Sequence, residues 1–198
     1  MNSILHRNLY FVKEHVAMFK AANNFDIFDP DSGQEIMRCR EENLSLLTKI
    51  LRFSGSKTMT PFDIEVKTSS GENVLQVKRG YSWFLSKVEV FDENGTLVGM
   101  FKQKFFTIGG KFDVLDANEN ILCTLQGKWT GWNFKFVGGD TEYAHVSKKW
   151  AGIGKELFTT ADNYMLEIFE NVGREDKLRI LILASVMCID MVLKEDSN

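Results

Sequence analysis

The sequence predicts a mainly β protein, a closed antiparallel β-barrel wrapped around one hydrophobic C-terminal helix. Three observations lead there. Leu178 to Leu193, LRILILASVMCIDMVL, is apolar at nearly every position and is interrupted only by Arg179, Ser185 and Asp190, so it reads as a helix with no solvated face. Ahead of it, a short apolar–acid–apolar motif followed by a turn and a return strand recurs along the chain. Finally, 16 Phe and 15 Gly against only 2 Pro suit many strands joined by glycine-containing turns. A sheet with one apolar face needs cover, and a helix apolar all round needs enclosure. A barrel closed around the helix meets both needs.

At a rise of about 1.5 Å per residue, Leu178 to Leu193 spans about 24 Å, short of the roughly 20 apolar residues a bilayer requires. Burial in protein is therefore expected. Glu175 and Asp176 suit a helix N-terminus and Lys194 a C-terminus, which sets the helix at about 175–194. Arg179 and Asp190 fall on nearly the same face, each at the unfavourable end of the helix dipole, so both need partners. Glu175, four residues before Arg179, is the expected one for that cation. Arg179, Leu181, Leu183, Val186, Ile189 and Asp190 are assigned to this structural core, with Cys188 a small buried hydrophobe.

The strands are read in chain order. Asn8 to Phe19 is mostly apolar and alternating. Phe25 to Asp29 runs into the turn Pro30-Asp31-Ser32-Gly33 and returns over Glu35 to Arg40. Asn43 to Phe53 carries apolar residues at a spacing that suits a short helix or an edge strand. Phe62 to Val66 leads through Ser70-Gly71 to Val74-Leu75, Val88 to Asp92 through Asn94-Gly95 to Leu97-Val98, and Phe112 to Asp116 through Asn118 and Asn120 to Ile121-Leu122. With Phe25 to Ile36 these are four copies of one hairpin, and Trp132 to Val146 is a degenerate fifth. Alternation places the acids of the motif, Asp26, Asp63, Glu89 and Asp113, on the solvated face of their strands.

Composition narrows the function. The 198 residues suit one domain over 1–198, and a net charge of -3 gives no basic field of the kind nucleic acid requires. No nucleic-acid partner is expected. Cys39, Cys123 and Cys188 are odd in number and scattered, which fits a reducing compartment better than a disulfide framework. The first residues have no unbroken apolar run of a secretion signal, so a cytoplasmic location is expected. Catalytic signatures are missing: there is no G-x-S-x-G, no P-loop and no local Cys–His pair. His6, His15 and His145 have no zinc-type spacing.

A resemblance adds to this reading. Val146-Ser147-Lys148-Lys149-Trp150-Ala151-Gly152, then Lys155 to Tyr164, then the Ile189-Asp190 helix ending at Glu195, resemble the C-terminal region of phospholipid scramblases. Pro61 to Ile64 and Ser86 to Val90 fit the same family upstream. The resemblance implies the Tubby C-terminal-like fold shared with LURP-one-related proteins, a barrel of about twelve strands around a hydrophobic helix. That strand count comes from the family alone. The family's calcium segment is matched only at Asp162 and Asn163; Thr160 stands where an acid is usual and Met165 where a tight loop uses glycine. No other cofactor is implied.

Tryptophan beside lysine marks membrane interfaces, and Lys128, Trp129, Trp132, Lys148, Lys149, Trp150 and Lys155 are the candidate lipid- or partner-facing residues. Core packing competes for each indole ring. Two functions are open. The resemblance implies a non-enzymatic, peripheral protein that binds or scrambles phospholipid at an anionic membrane surface. The other is a soluble protein-interaction or ligand-sensing barrel without lipid transport.

Overall fold

Alternation is cleanest in the strand from Phe62 to Thr68, where Phe62, Ile64, Val66 and Thr68 are buried and Asp63, Glu65 and Lys67 are half-buried on the other face. Repeated around the molecule, this pattern gives every strand one face for a core. The computed structural model describes residues 1–14, 24–41, 60–80, 87–103, 111–128, 133–148 and 163–193. The strands are β1 (Leu9–Glu14), β2 (Phe25–Phe28), β3 (Glu35–Arg40), β4 (Phe62–Thr68), β5 (Asn73–Arg79) and β6 (Lys87–Asp92). They continue with β7 (Leu97–Gln103), β8 (Lys111–Asp116), β9 (Ile121–Lys128), β10 (Asn133–Gly138), β11 (Thr141–Ser147) and β12 (Asn163–Ile168). Each pairs antiparallel with its sequence neighbours, and β1 pairs with both β2 and β12, placing Val12 opposite Ile27 and Tyr164. The barrel is thereby closed and leaves no edge for another chain to extend.

All five predicted hairpins form. Three of their turns are copies of one design. In the β6–β7 turn, the Asp92 carboxylate accepts the amides of Asn94 (2.9 Å) and Thr96 (2.8 Å). In β8–β9, Asp116 accepts those of Asn118 (2.9 Å) and Asn120 (2.8 Å). In β4–β5 the Thr68 hydroxyl accepts the Glu72 amide at 3.0 Å. The fourth residue donates its amide to the carbonyl of the first in each: Gly71 to Thr68, Gly95 to Asp92 and Glu119 to Asp116. All three are left-handed, at φ 93°, 76° and 65°, and each turn carries a register shift. This is a tight turn closed by a bulge, a geometry that favours glycine; Glu119 breaks that preference.

The helix, α1 (Leu178–Leu193), runs inside the barrel. Every residue from Leu178 to Ile189 is buried, including Leu181, Leu183, Val186 and Ile189. Gly99 on β7 allows the close approach: a Cβ there would lie 3.1 Å from the Leu181 methyls and 2.1 Å from the Leu115 carbonyl oxygen. No described helix is long and apolar enough to cross a membrane. The Asn43–Phe53 segment and the stretch from His15 to Phe19 lie outside the described residues, as do Lys194 and the side chain of Asp190.

The start of the helix differs from the sequence expectation. The Asp176 carboxylate accepts the Leu178 amide at 2.8 Å and caps the helix, so Glu175 lies ahead of it and has no (i, i+4) geometry toward Arg179. Glu175 instead meets His6 at 2.9 Å. Arg179, only 1% exposed, turns to neutral oxygens: the carbonyls of Leu5 (3.2 Å), Arg7 (2.8 Å), Val172 (3.2 Å) and Gly173 (3.0 Å), and the Asn8 amide oxygen (2.6 Å). The guanidinium fork suits this, because its donors diverge in one plane toward several acceptors. Arg179 thus ties the segment before β1 and the turn before α1 to the base of the helix.

Candidate functional site

An up-and-down barrel has two unlike ends. At one, the five short turns join β2–β3, β4–β5, β6–β7, β8–β9 and β10–β11. These turns carry Asp29, Asp31, Glu72, Glu93, Glu119 and Asp140 and contain no lysine or arginine. Ser32 and Asp31 hydrogen bonds and nearby Arg7 hold the Asp29 carboxyl below its ordinary range despite some desolvation. Ile121 (62% exposed) and Leu122 (37%) lie at this end and are the exposed large hydrophobics among the described residues.

The other end, the rim, receives all the remaining interstrand connections. Within two residues of it, five consecutive strands each place one lysine: Lys78 on β5, Lys87 on β6, Lys102 on β7, Lys111 on β8 and Lys128 on β9. Lys13 on β1 adds a sixth, and Lys148 comes directly after β11. Lys13, Lys87 and Lys111 are exposed.

Rim acids are held by partners. Arg40 binds Asp26 at 2.6 Å and the Phe25 carbonyl at 2.8 Å; Asp26 is buried in this pair, where alternation had placed it on the solvated face. Asp63 accepts from Gln76 at 2.7 Å with Lys78 at 3.8 Å, and Asp113 accepts from Thr124 at 3.0 Å. Glu89 lies 3.3 Å from Lys87. Asp26, Asp63 and Asp113 thus pair across strands, and Glu89 pairs along its own strand.

Arg79 seals the rim from within. It is buried, donates to the Thr60 carbonyl at 3.2 and 2.7 Å, and stacks its guanidinium 4.7 Å from the Phe62 ring centre. Burial pushes the Cys188 thiol on α1 up, and nearby Arg79 partly opposes the shift. Arg179 thus anchors the first turn of α1, while Arg79 lies near Cys188 toward its other end.

Of the candidates singled out in sequence, Lys128, Lys148 and Asn163 come to this one rim. Trp129, Trp132, Lys149, Trp150, Lys155 and Asp162 lie outside the described residues. The calcium segment does not suit its place in the barrel: Asn163 opens a strand and not a loop, with Met165 buried in the ladder opposite Phe11 and Ser147. Among the described residues no group of three or more His, Cys, Asp or Glu is placed to hold a metal ion. Sequence reasoning missed Lys78, Lys87, Lys102 and Lys111. Lys87 and Lys111 stand just before the repeated motif in two successive copies, a recurrence that could have exposed them.

A closed twelve-strand antiparallel barrel with an enclosed C-terminal helix and a basic rim defines a Tubby-like barrel protein. A family model described as Scramblase matches residues 2–196. The chain belongs to the scramblase family. It is 25% identical over 157 residues to a phospholipid scramblase family protein of Schizosaccharomyces pombe, covering 75% of this chain and 41% of that protein. Phospholipid scramblase family member 5 of Homo sapiens is 28% identical over 126 residues, 56% of this chain and 46% of the human protein. The altered inheritance rate of mitochondria protein 25 of Saccharomyces cerevisiae is 22% identical, over 94% of this chain and 68% of its own length. The chain thus spans less than half the length of the first two relatives. No solved structure gives a significant match.

Proposed function

We propose that the protein is a non-enzymatic, peripheral phospholipid-binding member of its family that engages anionic membrane surfaces from the cytoplasmic side through the rim of the barrel. The row of one lysine per strand across β5 to β9 carries this reading. Each lysine close to an anionic surface contributes up to about 1 kcal/mol, less where an acid already pairs with it, as at Lys78, Lys87 and Lys102, so the row supports weak, reversible docking. No covalent step is needed, and α1 stays in the barrel because releasing it would expose the whole apolar core. Lys128 and Lys148 are assigned to this surface by their strand positions, and Trp129, Trp132, Lys149, Trp150 and Lys155, outside the described residues, are proposed from sequence to act with them.

Co-sedimentation with vesicles of phosphatidylcholine and phosphatidylserine tests the reading. Binding should be present at low salt, fall steeply as salt screens the lysines, and be lost on pure phosphatidylcholine. Equal recovery with and without the anionic lipid would defeat it. A second reading, a soluble protein-interaction barrel, is favoured by exposed Ile121 and Leu122 at the opposite end. A defined partner whose capture is abolished by Ile121→Ser and Leu122→Ser, in a protein that ignores vesicles, would favour that one.

A further inference from the structure

Two local rules of β structure are broken at one place on the barrel. Lys87 and Lys102 stand directly opposite each other on β6 and β7, where like charges oppose pairing. Glu119 takes the left-handed position that Gly71 and Gly95 hold in otherwise matching turns, where a side chain is strained. The two meet. The Glu119 carboxylate binds the Lys102 ammonium with one oxygen and faces Lys87 at 3.7 Å with the other. All three side chains remain about half exposed, at 51%, 42% and 44%.

Nothing in the fold requires this arrangement. Glycine would close the turn, and a threonine or glutamate at either lysine would pair better across the strands. Sequences usually depart from such local preferences where a site is built. Two ammonium groups on neighbouring strands converging on one anion make a receptor for a group with several oxygens, and a carboxylate reproduces two of them. We propose that Lys87 and Lys102 form a binding site for a phosphate group, and that Glu119 occupies it as a built-in competitor until a phosphate displaces it. The site deepens the reading of phospholipid docking and rests on it for the headgroup as the source of that phosphate.

The test measures affinity for phosphatidylcholine–phosphatidylserine vesicles, with inorganic phosphate as the soluble arm, tracked by the side-chain NMR signals of Lys87 and Lys102. Glu119→Gln should raise vesicle affinity several-fold, and Lys87→Gln with Lys102→Gln should lower it. In the double-lysine variant, adding Glu119→Gln should give no gain. An equal gain with and without the lysines would make Glu119 a general surface charge and overturn the site. If no variant binds vesicles, docking itself fails and the phosphate arm decides. Lysine shifts with phosphate that strengthen in Glu119→Gln would then assign the site to a free anion, and their absence in that variant would overturn it. Thermal unfolding of each variant confirms that the barrel is intact.

Discussion

Glu119 occupies in the β8–β9 turn the left-handed position that Gly95 holds in the β6–β7 turn. The two turns share their hydrogen bonds, so the difference isolates the cost of a side chain at that conformation. Glu119→Gly relieves it and removes exposed ion pairs to Lys102 and Lys87, which contribute little at a surface. The variant should melt at the same temperature or a few degrees higher, with the gain clearest at high salt. A marked fall in Tm would show that the ion pairs outweigh the strain.

Arg179 satisfies five neutral oxygens at once. Arg179→Met leaves them short of donors and should cost about 3–5 kcal/mol in urea unfolding. Arg179→Lys should recover only part, because three donors on one nitrogen do not reach the same set. Hydrogen exchange should find Leu5 to Asn8 deprotected first.

Gly99 lets α1 lie against β7. In Gly99→Ala the new methyl meets the Leu115 carbonyl at 2.1 Å, backbone that moves only with the β7–β8 ladder. A loss of about 1–3 kcal/mol is expected, and Leu181→Ala in the same chain should not rescue it, since the nearest obstacle is the strand.

The enclosed helix tolerates no bare charge. Val186→Asp or Ala184→Lys buries an unpaired ion within the closed core, and neither should yield soluble protein with a cooperative melt. A folded variant of either kind would mean that α1 can leave the barrel.

Acid should act on the turns. Hydrogen bonds from the Asn120 side chain and amide and from the Asn118 amide hold Asp116 below the ordinary 3.8. A carboxyl depressed in the folded state stabilises above its unfolded value and loses that contribution as pH falls through the folded one. Tm should therefore decline below about pH 4. Asp116→Asn should flatten part of that decline while lowering stability at neutral pH.

The hairpins were legible because alternation and turn chemistry are local: Asp92 to Thr96 specifies its own geometry. Enclosure of Leu178 to Leu193 was legible from apolar residues on every face. The partner of Arg179 was not. The nearest acid in sequence was Glu175, whereas the actual acceptors on Leu5, Arg7 and Asn8 are backbone and amide oxygens brought together only by barrel closure. The site was harder still. A lysine in an alternating strand reads as solvated surface, and only the strand order shows that Lys78, Lys87, Lys102, Lys111 and Lys128 share one rim. Lys87 and Lys102 become a pair through register, which no sequence spacing states.

Closure of β1 on β12 has a consequence for the order in which the molecule can be made. The residues that bond Arg179 precede it by as many as 174 positions. During synthesis, eleven strands emerge before the one that completes the ring, and the helix that fills the interior comes last. Until then the growing chain is a curled sheet with a bare apolar lining and two unpaired borders, a state prone to sticking to its neighbours. Non-local closure of this kind is the slow step of folding. Premature termination anywhere before Leu178 should yield aggregate, because each shorter chain lacks its own centre.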